Sequence, residues 1–220
     1  WMPAYCLAAE RIAQAAGLPD HADRLLLAGG YDRGADRLAP DSLLAGGTNE
    51  ELIALWRATM GARAPHDLEN LVLETFAGYS EGDVTPTADL PPLFADLRAA
   101  GYLLGMATND DSHAANWTAQ RLELSDHLSF VVGADAGHGG KPGPGMALAF
   151  CAATGLHPSQ VAIIGDSAAD AGMARSAGLG AAIGVCTGAA PAAALAPHFD
   201  VVIASVADLP ALLAGGRVTG

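Results

Sequence analysis

The pattern of hydrophobic and polar positions changes near residue 82. Before that point, apolar residues recur at helical spacing, for example over Pro3–Ala16 and Asp67–Tyr79, and no run is long enough for a buried strand. Thr48-Asn49-Glu50-Glu51 is a capping box that predicts the start of another helix. Tyr31–Gly47 holds several Gly and Asp residues without a clear period, which predicts a loop or a small hairpin. We therefore expect residues 1–82 to form a helical unit.

After a predicted linker at Ser80–Thr87, short apolar runs alternate with helical segments. This alternation is typical of α/β domains, in which helices cover both faces of a parallel sheet. Residues 83–220 are therefore predicted to form such a domain. The predicted strands are Tyr102–Ala107, Ser129–Val132, Val161–Ile164, Ala181–Val185 and Val201–Ala204, and the predicted helices are Leu90–Ala100, Ser112–Leu122, Gly145–Ala153, Ala168–Ala177 and Ala207–Leu213.

The stretch Val161–Asp170 carries the clearest candidate chemistry. Its four apolar residues predict a buried strand that Gly165 ends. Asp166 then lies at the carboxyl end of the strand, where open α/β sheets bind ligands, and Ser167 can cap the next helix. Asp170 follows one helical turn later, so both carboxylates can face one space and bind a hard cation such as Mg²⁺. The alternative is a helix cap at Asp166 and a solvated Asp170.

Two further positions can meet a phosphorylated ligand. Thr108 and Asn109 follow the strand Tyr102–Ala107, and a hydroxyl with helix-opening amides can hold a phosphate oxygen, although both residues are also ordinary caps. Lys141 lies in the loop Gly137–Pro144 before a helix. It is the only Lys beside ten Arg, which favours a site that needs a compact ammonium over a solvated loop lysine.

Composition limits the partners. The net charge of −13 argues against nucleic acid or an anionic membrane, and no apolar run is long enough to cross a bilayer. We see no basic start and apolar core of a secretion signal. Three scattered cysteines fit reduced thiols, so we expect a cytoplasmic protein without nucleic-acid or membrane partners. Monomer and homodimer both remain open.

The ordered set Thr108-Asn109, Lys141 and Gly165-Asp166-Ser167-Ala168-Ala169-Asp170 resembles the haloacid dehalogenase-like (HAD) superfamily, and within it the phosphoglycolate phosphatase type. Thr108 is similar to the second family motif, Lys141 to the third, and Asp166 with Asp170 to the fourth. Lys141-Pro142-x-Pro144 and Gly184-Val185-x-Thr187-Gly188 add to the resemblance. It covers residues 83–220 closely, and the helical half resembles the cap that these enzymes insert after their first motif.

The resemblance implies a Rossmann-like parallel-sheet core with a helical cap domain. It implies a Mg²⁺-dependent phosphatase that hydrolyses a small phosphomonoester, such as 2-phosphoglycolate, through an aspartyl-phosphate. Asp166 and Asp170 would hold Mg²⁺, Lys141 and Thr108 would act on the phosphoryl oxygens as catalytic residues, and Asn109 would join them in binding substrate.

The first family motif, Asp-x-Asp-Gly-Thr, is not in this sequence. The nucleophilic Asp is therefore expected upstream of Trp1, on a strand that the family places between Tyr102–Ala107 and Val161–Ile164. Those two strands should then not pair directly. A haloacid dehalogenase is an alternative, but its chemistry uses no metal and leaves Asp166 and Asp170 without a purpose. A non-catalytic HAD-like binding protein is the alternative if the nucleophile is truly absent.

Overall fold

The computed structural model describes residues 2–40, 42–80 and 84–215. The chain divides into two compact units, Trp1–Asp83 and Val84–Gly220. The division falls within the predicted linker Ser80–Thr87, of which residues 81–83 lie outside the described residues. The assignment of the first unit as a cap remains a prediction.

The first unit is helical. The segment between its second and fourth helices holds a hairpin of two-residue antiparallel strands and one short helix, close to the predicted loop or small hairpin. The predicted capping box is present, since the Thr48 hydroxyl accepts from Glu51 N–H while the Glu51 carboxylate accepts from Thr48 N–H. The elements are α1 (Met2–Ala15), α2 (Ala22–Gly29), β1 (Tyr31–Asp32), β2 (Arg37–Leu38), α3 (Leu43–Gly46), α4 (Asn49–Met60) and α5 (Leu68–Ser80).

The first unit has its own hydrophobic core. Trp56 on α4 is fully buried, and its indole N–H donates to the Leu25 carbonyl on α2 at 2.9 Å, so a large ring is buried with its polar atom satisfied. The rings of Tyr5 and Phe76 meet edge to face at 5.4 Å and join α1 to α5. These contacts stabilise the helices against one another without help from a sheet.

The second unit alternates helix and strand, as its sequence predicts. A single-turn 3₁₀ segment, Val206–Asp208, replaces the predicted start of the last helix. The elements are α6 (Leu90–Ala99), β3 (Gly105–Ala107), α7 (Ser112–Arg121), β4 (Phe130–Val132), α8 (Gly145–Thr154), β5 (Ala162–Gly165), α9 (Ala168–Ala177), β6 (Ala181–Val185), α10 (Ala192–Leu195), β7 (Val201–Ile203) and α11 (Leu209–Ala214).

The ladders of the second unit are all parallel, and two separate sheets contain them. β3 pairs with β4 from Gly105 opposite Phe130 to Ala107 opposite Val132. β6 pairs with β5 on one side and with β7 on the other. Within the ranges that the structure describes, no ladder joins β3 to β5. The two strands that end at the candidate site are therefore not direct neighbours.

Three predictions about these strands are wrong. Tyr102–Leu104 lie outside β3, whose length matches the three residues of β4 that pair with it. Gly165 continues β5, where it lies opposite Gly184, instead of ending it. The strand is also not fully buried, because β5 has a ladder partner on one edge only and Ile164 is 37% exposed.

Helices α8 and α9 hold the two sheets of the second unit together. Met146 on α8 and Met173 on α9 are almost fully buried in one cluster that Ala107, Phe130 and Ile163 also contact. This cluster draws on both sheets, so it fixes the ends of β3 and β5 relative to each other. Over the described ranges, none of the helices combines the length and the apolar character that a membrane span needs.

Candidate active site

The turn after β3 is built by Thr108. Its backbone N–H donates to the Val132 carbonyl and extends the β3–β4 pairing by one bond. Its hydroxyl accepts from the Asp110 N–H at 3.1 Å and lies 3.4 Å from Asp110 Oδ2. The helix that follows, α7, is capped by Asp111, which accepts from Ala114 N–H at 2.7 Å. Thr108 therefore turns the chain and is not the helix cap, which leaves its hydroxyl at the carboxyl end of the strand.

Lys141 reaches the end of β3 with both its main chain and its side chain. The Lys141 N–H donates to Asn109 Oδ1 at 2.7 Å, and the Lys141 carbonyl accepts from Asn109 Nδ2 at 3.1 Å. Its ammonium donates to the Ala107 carbonyl at 3.1 Å. The loop that sequence analysis singled out is thus fastened beside Thr108, and Lys141 is not a solvated loop residue.

The ammonium of Lys141 also contacts α9. Nζ lies 2.8 Å from Asp170 Oδ1, and the two side chains are 13% and 6% exposed. The other carboxylate oxygen of Asp170 accepts from the Ser167 N–H at 3.2 Å and from its hydroxyl at 2.7 Å. Asp170 is therefore a buried residue of a capping box and an ion pair, and the alternative prediction of a solvated Asp170 is wrong.

Asp166 is placed differently from Asp170. Over the residues that the structure describes, its carboxylate has no hydrogen-bond partner from another residue. Burial raises the pKa of Asp166, the nearby charge of Asp170 raises it further, and its own backbone amide and the Lys141 ammonium lower it in part. Asp166 is an exposed residue, so its carboxylate is open to a cation from solvent. The side chain is not a helix cap, since Ser167 is the N-cap of α9.

Two glycines make room for the carboxylates. A Cβ on Gly165 would lie 2.2 Å from Asp170 Cγ, and a Cβ on Gly188 would lie 1.7 Å from Asp166 Oδ2. Only a bare Cα lets Asp170 fold back over β5 and lets the loop after β6 approach Asp166. Gly188 belongs to a stretch that the family resemblance marked, but its contact with Asp166 was not predicted.

The donors present suit a hard cation that keeps most of its water. No cluster of three or more His, Cys, Asp or Glu side chains that could hold a metal exists in the described part of the chain. Mg²⁺ binds commonly through one or two carboxylates plus water and substrate oxygens, so a full protein cage is not required. Asp166 offers a carboxylate that a cation would compensate, and Asp170 lies close enough to interact with it. The residues therefore fit Mg²⁺ bound mainly through Asp166.

The structure brings the five predicted residues Thr108, Asn109, Lys141, Asp166 and Asp170 to one place at the carboxyl ends of β3 and β5. One neighbour of these residues, Asp110, was not predicted from the sequence. Asp110 carries a pKa raised mainly by burial, with the Thr108 hydroxyl opposing that shift. The sequence around Asp110 does not indicate that its carboxylate is buried, because burial of a loop residue depends on how distant segments pack around it.

Comparison with known proteins places this geometry in context. A family model described as haloacid dehalogenase-like hydrolase matches residues 49–178. A phosphoglycolate phosphatase from Chromobacterium violaceum is 39% identical over 120 residues, which cover 54% of this chain and 53% of that protein. An N-acetylmuramic acid 6-phosphate phosphatase from Pseudomonas aeruginosa is 26% identical over 62% of this chain and 60% of its own length. The chain therefore spans little more than half the length of these curated relatives.

A solved structure supports the fold. A predicted phosphoglycolate phosphatase from Haemophilus somnus superposes with a TM-score of 0.70 at 19% identity, and the match covers 96% of this chain and 91% of that one. At this identity the likeness concerns the fold alone. It agrees with the predicted α/β core and helical unit.

Proposed function

The chain belongs to the haloacid dehalogenase-like hydrolases, and from this membership we propose that it acts in a phosphatase that hydrolyses a small phosphomonoester. The observation that carries the proposal is the meeting of Lys141, Thr108 and Asp166 at the carboxyl ends of two parallel strands, where α/β proteins bind ligands. An ammonium that donates to the Ala107 carbonyl, next to Thr108, and to the Asp170 carboxylate suits a phosphoryl group with a bound cation.

Each residue of this chain has a proposed task. Asp166 would hold Mg²⁺, which when bound would supply positive charge to the phosphoryl site. The Lys141 ammonium stabilises the charge that develops on the phosphoryl oxygens, and the Thr108 hydroxyl donates to one of them. Asp170 holds the Lys141 ammonium in place and would add its negative charge to the cation site. The attacking carboxylate remains an expectation drawn from the family resemblance.

The substrate class follows from the chemistry of the residues and from the relatives. One ammonium and one cation at the site match a single phosphate monoester, which must be drawn in locally because the chain carries a net charge of −13. We propose 2-phosphoglycolate as the first substrate to test, because several matched relatives are phosphoglycolate phosphatases. We also propose that the protein is cytoplasmic and that it is a monomer or a homodimer.

The test uses the protein translated from its complete reading frame. We expect release of phosphate from 4-nitrophenyl phosphate and from 2-phosphoglycolate that needs Mg²⁺ and falls at least about a hundredfold in Asp166→Asn. Asp96→Asn, an exposed residue on α6, serves as the control and should keep wild-type activity. Full activity in excess chelator would contradict the metal. Release of halide from a 2-haloacid would favour the dehalogenase, and phosphate binding without turnover would favour a binding protein.

A further inference from the structure

Asn109 contacts the main chain of the residue whose ammonium is at the site. Its carboxamide accepts from the Lys141 N–H at 2.7 Å and donates to the Lys141 carbonyl at 3.1 Å, so it holds the residue on both sides of its Cα. Asn109 itself is only 7% exposed. A buried amide with both ends engaged is not available to a ligand without breaking those bonds.

The contacted loop needs such an anchor. Residues 137–144 contain four glycines and form no helix or strand, apart from one turn in which Gly143 N–H donates to the Gly140 carbonyl. Glycine-rich backbone loses much conformational entropy when it becomes fixed in one conformation. Pro142 packs against Gly172 of α9, where an added Cβ would lie 2.5 Å from the ring, and this contact supports the loop from the other side. Asn109 is the anchor that joins this loop to the β3 end.

The position of the ammonium depends on this anchor. The Lys141 side chain runs back toward β3, where Nζ reaches the Ala107 carbonyl, two residues before Asn109. The main chain and the side-chain tip of Lys141 are therefore both hydrogen-bonded to the same short segment, residues 107–109. A small drift of the loop would lengthen the Nζ contacts to Ala107 and Asp170 together. The catalytic cost of such misplacement is large even when the fold survives.

We propose that Asn109 is a positioning residue that sets the place of the Lys141 ammonium through the main chain, and that it does not bind substrate. This departs from the expectation that Asn109 contacts the phosphate. The catalytic part of the proposal rests on the phosphatase function proposed above. The structural part concerns Lys141 alone and can be tested without any turnover.

The first test uses the fact that Lys141 is the only lysine of the sequence. Reductive methylation followed by peptide mass spectrometry reports on its side chain without interference from another lysine. In Asn109→Ala we expect methylation of Lys141 to be about fivefold faster than in the wild type, the ratio that one net hydrogen bond produces. Asn116→Ala is the matched control, because its carboxamide bonds only to Ser112 of the same helix in the described contacts and is exposed.

If Asn109→Ala does not fold, Asn109→Ser decides the question, since a hydroxyl can satisfy one polar partner in the buried turn. Circular dichroism and thermal melting establish that each compared variant is folded. An unchanged Lys141 methylation rate in a folded Asn109 variant would overturn the proposal, whether or not the protein is a phosphatase.

The second test separates positioning from substrate binding. Asn109 acts on the main chain of residue 141, so Lys141→Ala keeps its hydrogen bonds but removes the ammonium that they position. We expect Asn109→Ala to lower kcat about tenfold or more in the wild-type background and to have little further effect in Lys141→Ala. Losses that multiply in the double variant would mean that Asn109 contacts substrate directly and would overturn the proposal. If no variant has activity, the phosphatase proposal fails while the methylation result still decides the structural one.

Discussion

The Lys141 ammonium lies 2.8 Å from Oδ1 of Asp170, and both side chains are almost shielded from water. Lys141 comes from the loop before α8 and Asp170 from the first turn of α9, so the pair joins two segments that follow different sheets. A shielded ion pair stabilises little when compared with apolar residues, but the loss of one partner leaves the other charge uncompensated. The contact therefore holds the ammonium beside the end of β3.

Asp170→Ala should lower the free energy of unfolding by about 3–5 kcal/mol. It leaves the shielded Lys141 ammonium without its carboxylate partner and removes the capping-box bonds of α9. Asp208→Ala is the matched control, since Asp208 closes a capping box with Ser205 but is exposed and meets no lysine in the described contacts. We expect it to cost about 1 kcal/mol. Urea unfolding of both variants measures the difference. Equal losses would mean that only the cap matters at Asp170.

Lys141→Arg should lower kcat about a hundredfold. The ammonium fits between the Ala107 carbonyl and Asp170 Oδ1, and a planar guanidinium is longer and cannot present a point charge to the same two acceptors. Steady-state kinetics with 4-nitrophenyl phosphate measure the loss. Arg121→Lys, at the exposed end of α7, should leave kcat unchanged. A near wild-type rate for Lys141→Arg would remove Lys141 from the catalytic residues.

The order of elements in the second unit could be predicted because each strand is a short apolar run and each helix has its own period or cap. The site residues could be named for a related reason. Thr108, Lys141 and Asp166 all follow or precede regular elements, and parallel strands bring their carboxyl ends to one side of a sheet. The Thr48 capping box is local in the same way, and it is confirmed.

What the sequence could not show depends on contacts between distant segments. The extent of β3 is set by the three residues of β4 that pair with it, and Tyr102 alone gives no sign of this limit. The partners of Asn109 lie 32 residues away, so its carboxamide looked like a ligand or cap donor. The approach of Gly188 to Asp166 likewise arises only after β5 and β6 have paired.

Gly188→Ala should weaken Mg²⁺ binding about tenfold or more and leave the fold intact. The new methyl group would overlap Asp166 Oδ2 at 1.7 Å and crowd Asp166 Cβ at 2.8 Å, so the carboxylate would swing away and the backbone beside it would shift slightly. Isothermal titration with Mg²⁺ and thermal melting measure the two effects. Gly78→Ala on α5 is the control, because no heavy atom lies near its added Cβ and Ala favours a helix. Unchanged Mg²⁺ affinity in Gly188→Ala would argue against Asp166 as the main ligand.

Asp110→Asn should stabilise the protein at neutral pH and much less at acid pH. Burial raises the pKa of Asp110, so the folded state holds this proton more tightly than the unfolded chain does. The cost of ionisation is absent below the ordinary pKa of an aspartate and grows as the pH rises through the raised value. Asn cannot ionise and can still accept from the Thr108 hydroxyl, so the variant avoids the cost.

Urea unfolding at a series of pH values measures the gain, with exposed Asp96→Asn expected to show none. A gain that does not depend on pH would contradict the assignment to Asp110. A gain that appears only as the pH rises would mean that the folded chain carries a destabilising carboxylate charge at Asp110, two residues from Thr108.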